Sequence, residues 1–385
     1  MNDFPKSFYE LSEAKREGFI KVKEVKDRGE LVAGIFCSFT PREILQAAGI
    51  HHVGLCGMTD ETIPYAELDL PKNLCPLIKS SYGYAVSEKC PFMYFSDLVV
   101  GETTCDGKKK MFEHLKKFKN VYILQLPQDV TNPDALYLYT RELKRFAAFL
   151  EETFSVKITE ERLRHFCHLE NELRKIKCRI FEMEQLEPPA FWGYDLNKVM
   201  DGTGFLFNEQ AVLEKLENVY AEAKQRYDEG FHPVPKGLKR VLVSGCPSMA
   251  VMDKTVKVIE ENGGVVVAFE NCGGIKTQRH LIDETAEDIY EAIADHYLHI
   301  GCAVMSPDIR RFELLPQLIE EFKVDGILEI DLQFCQPFET EAKHVRDMAA
   351  EMGIPCLQIT TDYSNSDEGQ LRTRIEAFME QLNAM

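Results

Sequence analysis

Twice in this chain an apolar run stops at a cysteine that opens a helix, and this repeated device limits what the chain can fold into. Asp97-Leu98-Val99-Val100-Gly101-Glu102-Thr103-Thr104-Cys105-Asp106-Gly107 leads into Lys108, Lys109 and Lys110, which is a strand running into a cysteine and a basic helix. Near the other end, Val324-Asp325-Gly326-Ile327-Leu328-Glu329-Ile330-Asp331-Leu332-Gln333-Phe334-Cys335 repeats the pattern, followed by a helical stretch at 339–352 and a strand at 354–360. Apolar strands alternating with helices are the units of a parallel sheet covered on both faces. In such open sheets ligands bind at the carboxyl ends of the strands. There the free backbone N–H groups of the next helix favour an anion such as a thiolate. The two copies predict an α/β fold: two Rossmann-like domains with parallel sheets facing one cleft, plus a helical insert.

The rest of the chain fills in this plan. Residues 8–28 read as an amphipathic entry helix, and 31–36 as a strand ending at Cys37. Thr40-Pro41-Arg42-Glu43 predicts a helix start with Thr40 as N-cap and Glu43 closing a capping box. A strand at 52–55 ends at Cys56, Cys75 precedes Pro76 at a helix-opening position, and 121–126 follows as a strand. Residues 1–133 are thus predicted to form the first α/β domain. Residues 134–232 carry long charged segments of helical period at 136–153, 159–185 and 208–227, with no strand-like run and a break at Pro188-Pro189. Residues 233–385 form the second α/β domain, with a strand into Gly245-Cys246-Pro247, a helix over 251–262, a strand into Asn271-Cys272, a helical pair before Cys302, and the strand into Cys335. In chain order, Cys37, Cys56, Cys75 and Cys105 correspond to Cys246, Cys272, Cys302 and Cys335.

A formal net charge of −18 disfavours nucleic acid or an anionic membrane as the main partner. The residues Lys108, Lys109, Lys110, Lys116, Lys117 and Lys119 still gather on one segment beside Cys105. They read either as a solvated helix face or as a docking face. The stretch from Met1 to Glu13 lacks an apolar core, and no run reaches the ~18 apolar residues of a membrane span, so the chain is predicted to be cytoplasmic. In a reducing compartment, twelve cysteines are buried hydrophobes, catalytic thiols or metal ligands rather than disulfides. No Cys-x-x-Cys pair occurs, which argues against structural zinc. Thiolates dispersed at strand ends suit an iron-sulfur cluster, whose soft-ligand requirement tolerates distance in sequence. Cys167 and Cys178 fall at helical positions and read as packing.

At these residues the chain resembles a known family. Residues 34–49 around Cys37, Asn73-Leu74-Cys75-Pro76-Leu77-Ile78-Lys79-Ser80, Thr103-Thr104-Cys105-Asp106-Gly107, Gly245-Cys246-Pro247, Glu270-Asn271-Cys272, Ile300-Gly301-Cys302, Cys335 and Thr361-Asp362-Tyr363-Ser364 resemble the 2-hydroxyacyl-CoA dehydratase family, and within it the double-cubane cluster proteins. The resemblance implies an oxygen-sensitive homodimer with a cluster in the inter-domain cleft, either one 4Fe-4S cubane or two joined by a sulfide. It places Cys75, Cys105 and Cys335 as ligands of a single cubane. Cys37 and Cys302 would be next for a double cubane, with Cys246 or Cys272 as the sixth. It also implies a separate ATP-hydrolysing 4Fe-4S activator that delivers low-potential electrons for reduction of a small unsaturated molecule. The alternative it implies is a dehydratase subunit needing a second, unlike chain and a CoA ester. The chain itself has no Gly-x-x-x-x-Gly-Lys-Ser/Thr loop. For proton delivery the polar residues beside the ligands are Ser38, Lys79 and Glu339, with Asp106 and His344 as further candidates.

Overall fold

A computed structural model describes residues 6–385. Two four-stranded, all-parallel sheets organise it. The first holds β1 (Leu31–Ile35), β2 (Ile50–Gly54), β3 (Leu98–Glu102) and β4 (Val121–Leu124) in the order β2-β1-β3-β4. The second holds β5 (Lys239–Gly245), β6 (Gly264–Phe269), β7 (Gly326–Leu332) and β8 (Cys356–Thr361) in the order β6-β5-β7-β8. The two orders are the same, so the repeat seen in the cysteines is a repeat of topology. Every residue of β3 and β7 is buried, as expected for central parallel strands sheathed by helices on both faces.

The helices are α1 (Lys6–Asp27), α2 (Arg42–Ala47), α3 (Ile63–Ala66), α4 (Pro76–Val86), α5 (Pro91–Phe95), α6 (Asp106–Leu115), α7 (Ala135–Phe154), α8 (Glu160–Glu182), α9 (Gly193–Gly202), α10 (Glu209–Asp228), α11 (Val256–Glu261), α12 (Ile289–Leu298), α13 (Ile309–Glu321), α14 (Gln336–Glu351) and α15 (Glu368–Ala384). The all-helical stretch between the sheets touches both of them: α7 packs on β4 and α12, α8 on α2 and α12, and α9 on α1 and β6. One apolar core runs from Val32, Val99 and Phe112 through to Val243, Ile330 and Ile359, joining the two sheets. Among the described residues no helix is long and apolar enough to cross a membrane.

Where the structure departs from local sequence signals, tertiary contacts have claimed the residues. α2 begins at Arg42 after Pro41, with no side-chain cap. Thr40 instead donates to the buried Glu102 carboxylate, and Glu43 is held by Arg174 and Tyr297. The helix α9 has no counterpart among the expected segments. Its Gly193 lies so close to Val266 that a Cβ would stand 2.2 Å from the Val266 carbonyl oxygen, so packing on β6, rather than helix propensity, sets this turn. The expected helical pair before Cys302 is one helix, α12, preceded by a short 3-10 turn at Ile275–Thr277. The helix expected over 251–262 is split into a 3-10 segment, Met249–Lys254, and α11.

Candidate metal centre

The carboxyl ends of the two sheets open onto one cavity of about 1190 Å³, and nine cysteines line it: Cys37, Cys56, Cys75, Cys90, Cys105, Cys246, Cys272, Cys302 and Cys335. All seven cysteines expected as ligands from sequence are therefore together. Cys56 and Cys90 join them, while Cys167, Cys178 and Cys356 stay outside. Cys56 follows just after β2, a strand-end position that marks it in the sequence, yet it is not among the expected ligands. Cys90 caps the short α5, accepting the Met93 N–H at 3.4 Å, and nothing in strand patterning points to it.

Backbone geometry holds several of these thiols in place. Cys105 and Cys335 occupy the residue before α6 and α14, where helix N–H groups are free. Gly245 adopts φ +103°, and a Cβ there would meet the Ile330 carbonyl oxygen at 2.3 Å. This turn directs Cys246 inward, where its N–H donates to Ile330 O at 2.8 Å and its sulfur accepts the Leu332 N–H at 3.4 Å. Phe334, next to Cys335, also lines the cavity and carries φ +61°, a conformation that costs a non-glycine residue energy.

The thiols sort into neighbourhoods that cross the repeat. Cys335 interacts with Cys75 and Cys246. The Cys335 contact, then burial, pushes Cys75 well above the ordinary thiol range. Elsewhere Cys37 feels Cys272 and Cys302, and burial raises it strongly despite the nearby Lys108 ammonium. Burial also pushes Cys302 up to about 11. Each neighbourhood takes one cysteine from the first half and two from the second. Lys108 turns inward rather than joining a solvated helix face: its ammonium donates to Phe36 O at 3.1 Å, beside Cys37, Cys56 and Cys105. Burial pushes the neighbouring Glu102 up to about 7, and one of its oxygens has no partner.

The donor set fits a cluster better than a single ion. A tetrahedral zinc with 2.3 Å bonds holds its sulfurs about 3.8 Å apart, and among the described residues no three cysteine sulfurs lie within 4.8 Å of one another. Spread thiols around a large cavity leave room for several metals and inorganic sulfide. A second mark of fit is the Tyr363 hydroxyl. It is buried close to Cys75, Cys246 and Cys335 and has no hydrogen-bond partner, so it lacks an acceptor that sulfide would supply.

The expected proton donors divide. Ser38 lines the cavity, as do Asp106 and His344. Lys79 and Glu339 are not among the lining residues; the Lys79 ammonium is taken by Glu67 at 2.9 Å and Lys72 O at 2.8 Å. Asp106 is paired with Lys109 at 2.7 Å. On α14 it is Glu341, not Glu339, that reaches the cavity, tied to Arg311 at 2.5 Å. Away from the cavity, His280 and His299 stack at 3.7 Å and both approach Asp295 near the end of α12, at 2.8 and 3.5 Å.

Comparison with known proteins places this arrangement. Residues 37–382 match the family model of the 2-hydroxyglutaryl-CoA dehydratase D-component. The chain is 45% identical over 386 residues, 99% of each chain, to YjiM of Escherichia coli (strain K12), which is provisionally named a dehydratase subunit. It is 24% identical to the (R)-phenyllactyl-CoA dehydratase beta subunit of Clostridium sporogenes, over 94% of each chain. It is 21% identical to a benzoyl-CoA reductase subunit of Thauera aromatica, over 89% of each.

Proposed function

The chain belongs to the 2-hydroxyglutaryl-CoA dehydratase D-component family, and on that premise we propose that it is the cluster-bearing catalytic component of a two-component reductase. In this reading it accepts low-potential electrons from a separate ATP-hydrolysing activator and reduces a small unsaturated molecule. The observation that carries it is the gathering of nine thiols from both halves around one cavity, a surplus over the three that a single cubane would need from this chain. Cys37, Cys272 and Cys302 would hold one 4Fe-4S unit. Cys75 and Cys335, with Cys105 or Cys246, would hold the other, and a sulfide would join the two. When bound, such a cluster supplies single electrons at a potential set by charge, hydrogen bonds and burial.

The chain's own residues supply the setting. The Lys108 ammonium sits beside Cys37, Cys56 and Cys105 and offsets thiolate charge there. The two sheet mouths frame the cavity, and Ser38 is the proposed source of a proton at the cavity wall. The protein would act as a homodimer in the cytoplasm, since each chain already contains both halves of the repeat. A second reading, favoured by the dehydratase name of the Clostridium relative, is a subunit of a 2-hydroxyacyl-CoA dehydratase with one 4Fe-4S cluster and an unlike partner chain. Anaerobic iron and sulfide analysis separates the two. About eight irons per chain supports the double cubane, and about four supports the dehydratase. Reduction of a small unsaturated substrate by the homodimer with activator and ATP then tests the reductase itself.

A further inference from the structure

Six cationic side chains line the cavity: Lys15, Arg42, Lys89, Lys108, Lys109 and Lys177. Four of them are occupied. Lys15 pairs with Asp201 at 3.1 Å, Lys89 with Glu61 at 2.6 Å and Lys109 with Asp106 at 2.7 Å, while Lys108 donates to Phe36 O. The side chains of Arg42 and Lys177 have neither an ion-pair nor a hydrogen-bond partner among the described residues.

Their placement follows from the packing of α2 on α8. Along α8, Glu170, Arg174 and Lys177 are spaced i, i+4 and i+7, so they share the face turned toward α2. The first two are matched. Glu170 accepts from Gln46 at 2.6 Å, and Arg174 donates to Glu43 at 2.5 Å. Tyr297 fixes this end of α2 from the other half of the chain, donating to Glu43 at 2.9 Å and accepting the Arg42 N–H at 3.1 Å. One turn further along α8 the pattern breaks: Lys177 meets Arg42, a like charge. Burial and then Arg42 pull the Lys177 ammonium down to about 8, against the opposing pull of Glu170. Glu170 pulls on both Arg42 and Lys177, but it already serves Arg174 and accepts from Gln46, so the two cations share one engaged carboxylate.

We propose that Arg42 and Lys177 form an anion subsite of the cavity, holding a carboxylate or phosphate group of the molecule that is reduced there. The planar guanidinium offers two parallel N–H donors to an oxyanion and the ammonium adds a point charge. Both gain most in a partly buried wall, where water competes least. The inference rests on the reductase reading for the word "reduced" and narrows its substrate to anion-bearing molecules. The subsite itself stands on the cavity alone.

The test is calorimetric titration of the anaerobically purified, cluster-containing protein at low ionic strength, with inorganic phosphate in one arm and succinate in the other. The wild type is expected to bind one anion per chain. Lys177→Met and Arg42→Met should each weaken binding at least tenfold, with iron content unchanged. Phosphate bound in preference to succinate assigns a phosphate group, and the reverse assigns a carboxylate. Because Lys177→Met removes like-charge repulsion, its melting temperature without added anion should not fall below that of the wild type. Binding no tighter than that of chloride, or wild-type affinity in both variants, overturns the proposal. Such a result in a protein that keeps its iron and accepts electrons from the activator would leave the reductase reading standing. Loss of that reading, by an iron count near four, would leave the anion subsite decided by the same two variants.

Discussion

Cys75 and Cys335 bring their thiols together across the cleft, one from the start of α4 and one from the start of α14, and Cys335 also meets Cys246. Cys335→Ser should therefore remove one of the two proposed cubanes, cutting iron from about eight to about four per chain. Cys105 and Cys246 compete for the third position. Cys246 already accepts the Leu332 N–H, so Cys105→Ser is expected to lose iron while Cys246→Ser keeps it. Anaerobic iron analysis of the three variants decides, and full iron in Cys335→Ser would remove that residue from the ligand set.

Beneath the Cys302 loop, the fully buried Arg311 holds Glu270 at 3.2 Å, Glu329 at 2.9 Å and Glu341 at 2.5 Å. Lys276 adds a second cation to Glu270 at 3.2 Å. Arg311→Met keeps the volume but leaves buried carboxylates without their main counter-charge. Breaking such a set by removing one partner costs about 3 to 5 kcal/mol. The denaturant midpoint should fall accordingly, and a loss below about 1 kcal/mol would show that the carboxylates simply take up protons.

The strand ends were legible because central parallel strands are uninterrupted apolar runs, and a cysteine at the end of such a run has only one place to go. The pairing of Cys37, Cys56 and Cys105 with Cys246, Cys272 and Cys335 follows the two matching sheet orders. What patterning could not show is which thiols meet. Cys37 sits with Cys272 and Cys302 rather than with its own half, because the sheets face each other and neighbourhoods form between them. Thr40 and Glu43 misled for a related reason: the local capping signal is worth about 1 kcal/mol, and buried partners outbid it. Lys108 looked like the exposed Lys110, Lys116 and Lys117, since position about the helix axis, not residue type, separates cavity from solvent.

The outward face of α6 and the turn that follows it keep Lys110, Lys116 and Lys117 exposed, with Lys110 partly engaged by Glu113 at 2.8 Å. If the activator docks there through charge, Lys116→Glu with Lys117→Glu should slow electron delivery several-fold at low salt. The difference should shrink as salt shortens the Debye length from ~10 Å toward ~3 Å. Iron content and chemical reduction of the cluster should not change. Wild-type transfer rates in the double variant at low salt would place the docking surface elsewhere.

Glu260 gives the fold a pH dependence unrelated to the cavity. It accepts the Tyr194 and Val266 N–H groups at 3.3 and 3.4 Å, and burial pushes its carboxyl from 4.5 up to about 8. The folded state therefore keeps a proton that the unfolded chain releases above pH 4.5. Its contribution to stability is complete below that pH and is lost as pH rises through about 8. At about 1.4 kcal/mol per unit, Glu260→Gln should gain roughly 2.5 kcal/mol on the wild type between about pH 5 and pH 7. Parallel stability profiles for the two proteins would show that Glu260 titrates normally.

Tyr363 permits a prediction with two opposite signs in one variant. Its hydroxyl is buried near Cys75, Cys246 and Cys335 without a partner, and an unsatisfied buried hydroxyl costs a protein about 1 to 3 kcal/mol. In protein stripped of iron, Tyr363→Phe should therefore be the more stable form. With a cluster bound, the hydroxyl can donate to sulfur, and such bonds stabilise the reduced, more negative state. There the same substitution should lower the midpoint potential, by an amount on the order of tens of millivolts, with iron content unchanged. A merely structural tyrosine would move stability alone, so an unaltered potential in a fully loaded Tyr363→Phe protein would mean that the hydroxyl does not face the metal centre.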